Sequence, residues 1–121
     1  MKAVLDTNIL VDYLNGIEAA KIELDRYERP LISLVTWMEV LVGAQHPDEH
    51  RLLKSFLRRF QTAAIDDPVA EQAVLLRRQH RIRLPDAIIW ATARTRECLL
   101  VTRNTRDFPS DDPSVRVPYR L

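Results

Sequence analysis

The sequence predicts an α/β fold: a mostly parallel central sheet of about four to five strands, with helices on both faces in three layers. Two observations predict it. Short apolar runs alternate along the chain with segments of helical periodicity, and strands separated by helices imply parallel pairing. No repeat, low-complexity tract or linker divides the 121 residues, a length that suits one domain of about 100–150 residues.

The elements follow in order. Residues 2–5 read as a strand and 8–15 as a helix ended by Gly16. Glu18 to Tyr27 reads as a second helix, and Pro30 precedes a strand over 31–34. Thr36 to Gln45 is helical. Pro47 starts a helix through Phe60 that sets Leu52, Leu53, Phe56, Leu57 and Phe60 on one face. A short strand is expected over 63–65. Pro68 opens a helix to Gln79 with Val69, Ala73 and Leu76 in register, and Pro85 sits at the start of one reaching Arg96. Strands are expected over 99–102 and 115–117.

Bulk composition narrows the function classes. At 46% hydrophobic the chain can bury a core, and no run of about 18 apolar residues suggests a membrane span. The N-terminal stretch before Asp6 is too short for a signal peptide. The one cysteine, Cys98, leads an apolar run and reads as a buried thiol; with no intrachain disulfide possible, a cytoplasmic protein is expected. The net charge of +1 is unevenly placed: residues 1–50 hold 4 basic and 9 acidic side chains, and residues 51–121 hold 14 and 8. Fifteen of the 18 basic residues are Arg, whose fork suits phosphate. The basic half reads equally as a nucleic-acid footprint or as solvated helix faces.

Four acids stand at junctions where apolar segments begin or end. Asp6 closes the first strand. Glu39 lies one turn into Thr36–Gly43. Asp86 opens the apolar run 87–93 after Leu84-Pro85, and Asp107 ends Leu100–Asp107. Acids at strand and helix mouths of an α/β fold can converge on one crevice. Four carboxylates there repel unless a hard divalent cation neutralises them. Each also has a plain structural explanation. Thr7 or Asn8 can cap the helix after Asp6. Thr36-x-x-Glu39 fits a capping box. Asp86 complements a helix dipole. Asp107 lies in a polar turn.

Other chemistries lack their residues. With only Gly16 and Gly43 there is no Walker loop or dinucleotide fingerprint. His46 and His50 are four apart, but Pro47 and the missing Glu exclude a zincin, and these histidines with His80 read as solvated. No Cys/His set has structural-zinc spacing, and no serine sits in a nucleophile elbow. An oxygen-ligand Mg²⁺ or Mn²⁺ site remains.

Four stretches together resemble the PIN-domain ribonucleases, and within them the VapC-type toxins of toxin–antitoxin pairs: VLDTNILVDYL, TWMEVLVGA, LPDAIIWATA and LVTRNTRDF. They occur in the family's order and at its spacing across nearly the whole chain. The resemblance implies a single PIN-like α/β/α domain over 1–121. It also implies an acidic metal site of Asp6, Glu39, Asp86 and Asp107, supported by Thr7, Asn8, Thr102 and Asn104. Where some members carry an extra acid in the last motif, this chain has Asn104. The expected activity is Mg²⁺-dependent endoribonuclease cleavage by an activated water, with Mn²⁺ substituting. Arg83, Arg103 and Arg106 are candidates for phosphate contacts. The implied partners are RNA, a VapB-type antitoxin whose tail covers the acidic pocket, and a second copy of the chain.

Three rivals are weighed beside this. A receiver-type phosphoryl-transfer domain would need a second acid beside Asp6 and a late Lys, but position 8 is Asn and the last Lys is Lys54. A non-catalytic RNA-binding PIN-like domain would not be expected to keep all four acids. A housekeeping PIN nuclease of RNA maturation differs only in lacking an antitoxin.

Overall fold

The computed structural model describes residues 2–121. Five parallel strands form one sheet, and six helices cover it. In chain order these are β1 (Ala3–Leu5), α1 (Thr7–Leu14), α2 (Glu18–Asp25), β2 (Leu31–Ser33), α3 (Leu34–Val42), α4 (Pro47–Leu57), β3 (Gln61–Ala63), α5 (Asp67–His80), α6 (Leu84–Thr95), β4 (Leu99–Val101) and β5 (Val115–Arg116).

The spatial strand order is β3-β2-β1-β4-β5. The chain leaves β1 toward one edge and later returns to pair β4 on its other side, with Val4 opposite both Leu31 and Leu100. The connection direction therefore reverses between β1 and β4. The carboxyl ends flanking such a reversal open a crevice, because the following loops diverge.

Pleating explains the two cores. Val4, Leu31, Ala63, Leu100 and Val115 point to one face, against Val69, Ala73 and Leu76 of α5 and Ala87, Ile89 and Trp90 of α6. Ala3, Leu5, Ile32 and Val101 point to the other, against α1 to α4. With both faces covered, β1 and β2 are buried at every position, which is why they read as continuous apolar runs.

Several boundaries differ from the sequence reading. Ser33, not Thr36, caps α3: its Oγ accepts from the Val35 N–H at 3.1 Å, so Thr36-x-x-Glu39 is not a capping box. Asp6, rather than Thr7 or Asn8, caps α1. The third strand lies at 61–63, not 63–65, because Gln61 and Thr62 pair Leu31 and Ile32 on a sheet edge where polar side chains face water. α4 stops at Leu57, and Leu52 faces solvent instead of the core at 72% exposure. His46 is exposed but caps α4, its Nδ1 accepting from the Glu49 N–H at 3.3 Å. Gly16 ends the first helical segment at φ 81°, a left-handed turn that costs glycine little. Cys98 is a buried free thiol. Among the described residues no helix is long and apolar enough to cross a membrane.

One acid on the inner face of α2 is buried with a full set of partners. Glu23 of α2 receives both Nε and a terminal nitrogen of Arg116 at 2.8 and 2.9 Å, and the Tyr27 hydroxyl at 2.8 Å. Burial pushes its carboxyl up, but Arg116 and Tyr27 outweigh that and hold it below the usual range. The pair ties β5 to α2. Arg116→Ala strands a buried carboxylate, so we expect a loss of roughly 2–4 kcal/mol in denaturant unfolding at pH 7. A carboxyl with a lowered pKa contributes stability above its unfolded value, 4.5, that is lost in acid. The difference between wild type and variant should therefore shrink below about pH 4. An equal loss at pH 3.5 and 7 would contradict this assignment.

Candidate active site

At the reversal between β1 and β4 a cavity of about 300 Å³ opens. Asp6, Thr7, Asn8 and Val11 line it from the end of β1 and α1, Glu39 from α3, Arg83 and Asp86 from the start of α6, and Arg103 and Asn104 from the turn after β4. Residues distant in sequence meet here because each ends or begins an element at the same rim of the sheet.

Asp6 is only 4% exposed. Its Oδ2 accepts from the Thr102 hydroxyl at 2.7 Å and from Asn8 Nδ2 at 3.2 Å, while Oδ1 accepts from the Thr7 N–H at 2.7 Å. Desolvation raises its pKa most. The bonds from Thr102 and Thr7 oppose this, the charges of Asp86 and Glu39 add to it, and the result is a pKa of about 6. Asp86, also buried, is raised by the same loss of water. Arg83, 3.4 Å away, opposes the rise, and Asp107 and Glu39 reinforce it.

Glu39 is exposed and held at one oxygen. The Thr7 hydroxyl donates to its Oε1 at 2.6 Å. That commits the Thr7 proton, so the buried Thr36 hydroxyl, 2.9 Å away, is the donor to Thr7. Asp107 does not line the cavity. Its Oδ2 accepts from Asn104 Nδ2 at 2.9 Å, while Asn104 Oδ1 accepts from the N–H groups of Arg106 and Asp107 at 3.1 and 3.2 Å. The N–H of Asn104 in turn donates to the Thr102 hydroxyl at 2.9 Å. A continuous chain of bonds thus runs from Asp107 through Asn104 and Thr102 to Asp6.

The three arginines differ. Arg83 is largely exposed beside Asp86, with its side chain 77% accessible, and Arg106 is exposed. Arg103, expected at the phosphate, lines the cavity but gives its fork to Asp12, at 2.6 and 3.0 Å. Asp12 is buried and also accepts from the Tyr119 hydroxyl at 2.8 Å, so Arg103 is a tether between the β4 turn and α1 rather than a free cation. The sequence reading missed Asp12 and Thr36. The available signal for Asp12 was an acid inside the apolar run Ile9–Leu14.

Among the described residues no three Asp, Glu, His or Cys side chains form a ready-made metal cage. The donors nevertheless fit one class of cation. Two buried carboxylates and an exposed third, all oxygen, suit a hard divalent ion that keeps several waters and takes only one or two carboxylates from the protein. A soft metal has no thiolate or imidazole here.

The PIN domain family model matches residues 3–110. The chain belongs to the PIN-domain family. This PIN domain is 34% identical over 113 residues to Ribonuclease VapC10 of Mycobacterium tuberculosis, covering 88% of the chain and 85% of that protein. Among solved structures it is similar to a toxin–antitoxin complex from Klebsiella pneumoniae, with 41% identity, a TM-score of 0.92, and 99% and 100% of the two chains covered. It is also similar to FitAcB from Neisseria gonorrhoeae, with 26% identity, a TM-score of 0.81, and 98% and 99% covered. The expected PIN-like α/β fold is thereby established.

The raised pKa of Asp6 has a stability consequence. Between its unfolded value of 3.8 and about 6 the unfolded chain releases the proton while the folded one keeps it. Stability therefore falls as pH rises through that window. Asp6→Asn removes the charge and keeps a capping oxygen. In EDTA at pH 7.5 it should be more stable than wild type by roughly 1–3 kcal/mol, a gain that disappears near pH 4. Thermal unfolding at the two pH values checks this, and a variant less stable than wild type at pH 7.5 would rule it out.

Proposed function

We propose that this PIN domain is a Mg²⁺-dependent endoribonuclease, with Mn²⁺ able to substitute, and the toxin of a VapBC-type toxin–antitoxin pair. The observation that carries the reading is the convergence of Asp6, Glu39 and Asp86, from three separate elements, on one cavity at the strand-order reversal. The ribonuclease name of one relative and the toxin–antitoxin nature of a solved neighbour support it.

In this reading Asp6 and Asp86 would hold the cation and Glu39 would complete its shell. When bound, Mg²⁺ supplies charge neutralisation on a phosphate oxygen and a lower pKa for water. The remaining work belongs to the chain. Thr7 and Thr102 fix the carboxylate orientations through hydrogen bonds, so little reorganisation is needed when substrate arrives. Asp107 stands behind the cavity lining with its carboxylate held by Asn104 and its charge felt at Asp86; in this reading it would orient the attacking water. Arg83 and Arg106, both exposed, meet the flanking phosphates. Water attack on phosphorus breaks the bond to the 3′-oxygen. That oxygen leaves with a proton as a 3′-hydroxyl, and the phosphate stays on the 5′ end.

A cavity of carboxylates also attracts a cationic side chain, which is the chemistry by which a VapB-type antitoxin would occupy it. Pairing of two copies of the chain belongs to the same reading, and sedimentation of the purified protein tests it.

Cleavage of cellular RNA by the purified, antitoxin-free protein is the direct test. We expect discrete products in Mg²⁺ or Mn²⁺ and none in EDTA. Asp86→Asn should lower the rate at least about a hundredfold, and Thr7→Val by about 10–100-fold through a loosened Glu39. Products that persist in EDTA or in Asp86→Asn would overturn the assignment.

A further inference from the structure

A second cavity, of about 460 Å³, lies away from the carboxylates. Trp37 of α3, Lys54 of α4, Arg58 just past its end, Arg29 ahead of β2, Phe60 before β3 and Thr62 within it line the cavity, with Leu57. Three features set it apart. It presents three cationic side chains and no acidic one. Arg29, Lys54 and Arg58 are all exposed, and among the described residues none forms an ion pair, unlike Arg103, Arg116 and Arg83. Its aromatic surface is graded: Phe60 is buried and braced edge-on by Phe56, while Trp37 is half-buried and lines the cavity.

Unpaired cations around a half-buried tryptophan at a cavity wall match what single-stranded nucleic acid asks for. A base stacks on an aromatic face while the flanking phosphates meet Arg and Lys. A cavity of this size admits one flat heterocycle, the scale of a small-ligand pocket. Trp37 and Glu39 are two residues apart on α3, about 200° around the helix, so the two cavities flank a rod about 10 Å across. A strand of several nucleotides can span them.

We propose that this cavity is a distal RNA subsite. One unpaired base stacks on Trp37, and its neighbouring phosphates are held by Arg29, Lys54 and Arg58, while the scissile phosphate lies at Asp6 and Asp86. The proposal rests on the ribonuclease reading above and adds a binding contact outside the carboxylate cavity. It assigns the grip on single-stranded substrate to residues that take no part in bond cleavage.

The test is binding of a short 5′-labelled oligouridylate in EDTA, where the metal-dependent reaction is silent, with intrinsic tryptophan emission as a second readout. The chain has two tryptophans, and Trp90 is fully buried, so quenching on RNA addition reports Trp37. We expect quenching in wild type and its loss in Trp37→Phe. Trp37→Leu should weaken binding at least about fivefold. The surface variant Arg29→Gln/Lys54→Gln/Arg58→Gln should weaken binding tenfold or more. It should also reduce the slope of log affinity against log salt by about 2, at about 0.7 per phosphate contact. Unquenched emission, or unchanged affinity and salt slope in the triple variant, overturns the proposal. Oligoglutamate that binds through these cations more tightly than RNA also overturns it, in favour of an acidic protein segment. Cleavage of cellular RNA is read in the same preparations. A wild type that cleaves while the triple variant binds unchanged removes the subsite and leaves the nuclease. Binding with this footprint by a protein that never cleaves removes the nuclease and leaves the subsite.

Discussion

The rest of the site depends on the burial of the Asp6 carboxylate at the end of the central strand. A charge there loses its water, and Asp86 and Glu39 add repulsion. Nothing in a hydrophobic core repairs that, so polar groups must be brought to it from elsewhere. Thr102 comes from the end of the adjacent strand, Thr7 and Asn8 from the first turn of α1. The hydroxyl of Thr102 then orders Asn104, and Asn104 orders Asp107. Much of the polar architecture at this rim is thus a response to one unfavourable burial. A group that destabilises the folded chain and is nonetheless kept, surrounded by matched donors, marks a functional position rather than a structural one.

Those donors hold their places because the segments after β4 and β5 are tethered. Arg103 reaches back to Asp12 in α1, and Tyr119 meets the same carboxylate. Arg116 reaches Glu23 in α2. Each pair is bidentate and largely removed from water, so its net contribution to stability is smaller than its contacts suggest. The value lies in position. These segments have little regular structure, and β5 is two residues long. Without the ion pairs little would fix the β4 turn relative to the end of β1, and the Thr102–Asp6 bond depends on that fit.

The elements that bury apolar faces were legible in the sequence. β1, β2, β4 and the helices after Pro47, Pro68 and Pro85 declare themselves through apolar runs and helix-start prolines. The edge strand β3 was misplaced because two of its three residues face water and carry no apolar pattern. Thr36-x-x-Glu39 matched a cap pattern, but the cap lies three residues earlier at Ser33, which frees Thr36 and Glu39 to face Thr7. In the site, Asp6, Glu39 and Asp86 stood out at junctions. Their meeting depends on strand order, which no local pattern encodes. The partner of Arg103 was invisible for the same reason: Asp12 lies 91 residues away, and only the fold brings it near.

The net charge of +1 conceals a division of labour between the two signs. The buried acids lie where charge is costly, Asp6 and Asp86 in the cavity at β1 and Asp12 and Glu23 in the ion pairs of α1 and α2. The Arg excess of the second half is not a uniform footprint. Arg103 and Arg116 are consumed by buried acids, and Arg83 leans on Asp86. Composition alone could not tell these from cations left free, because both are arginine. What separates them is burial of the partner: a bidentate pair with a sealed carboxylate is released only at a cost of several kcal/mol, so it cannot be recruited by a phosphate in water. The cations available to a polyanion are therefore the exposed ones at the rim of the acidic cavity and on the flank of α3 and α4. In the proposed reading a cavity of carboxylates repels phosphate on its own, so an attachment point at a distance would supply affinity that does not depend on the charge state of the reacting centre.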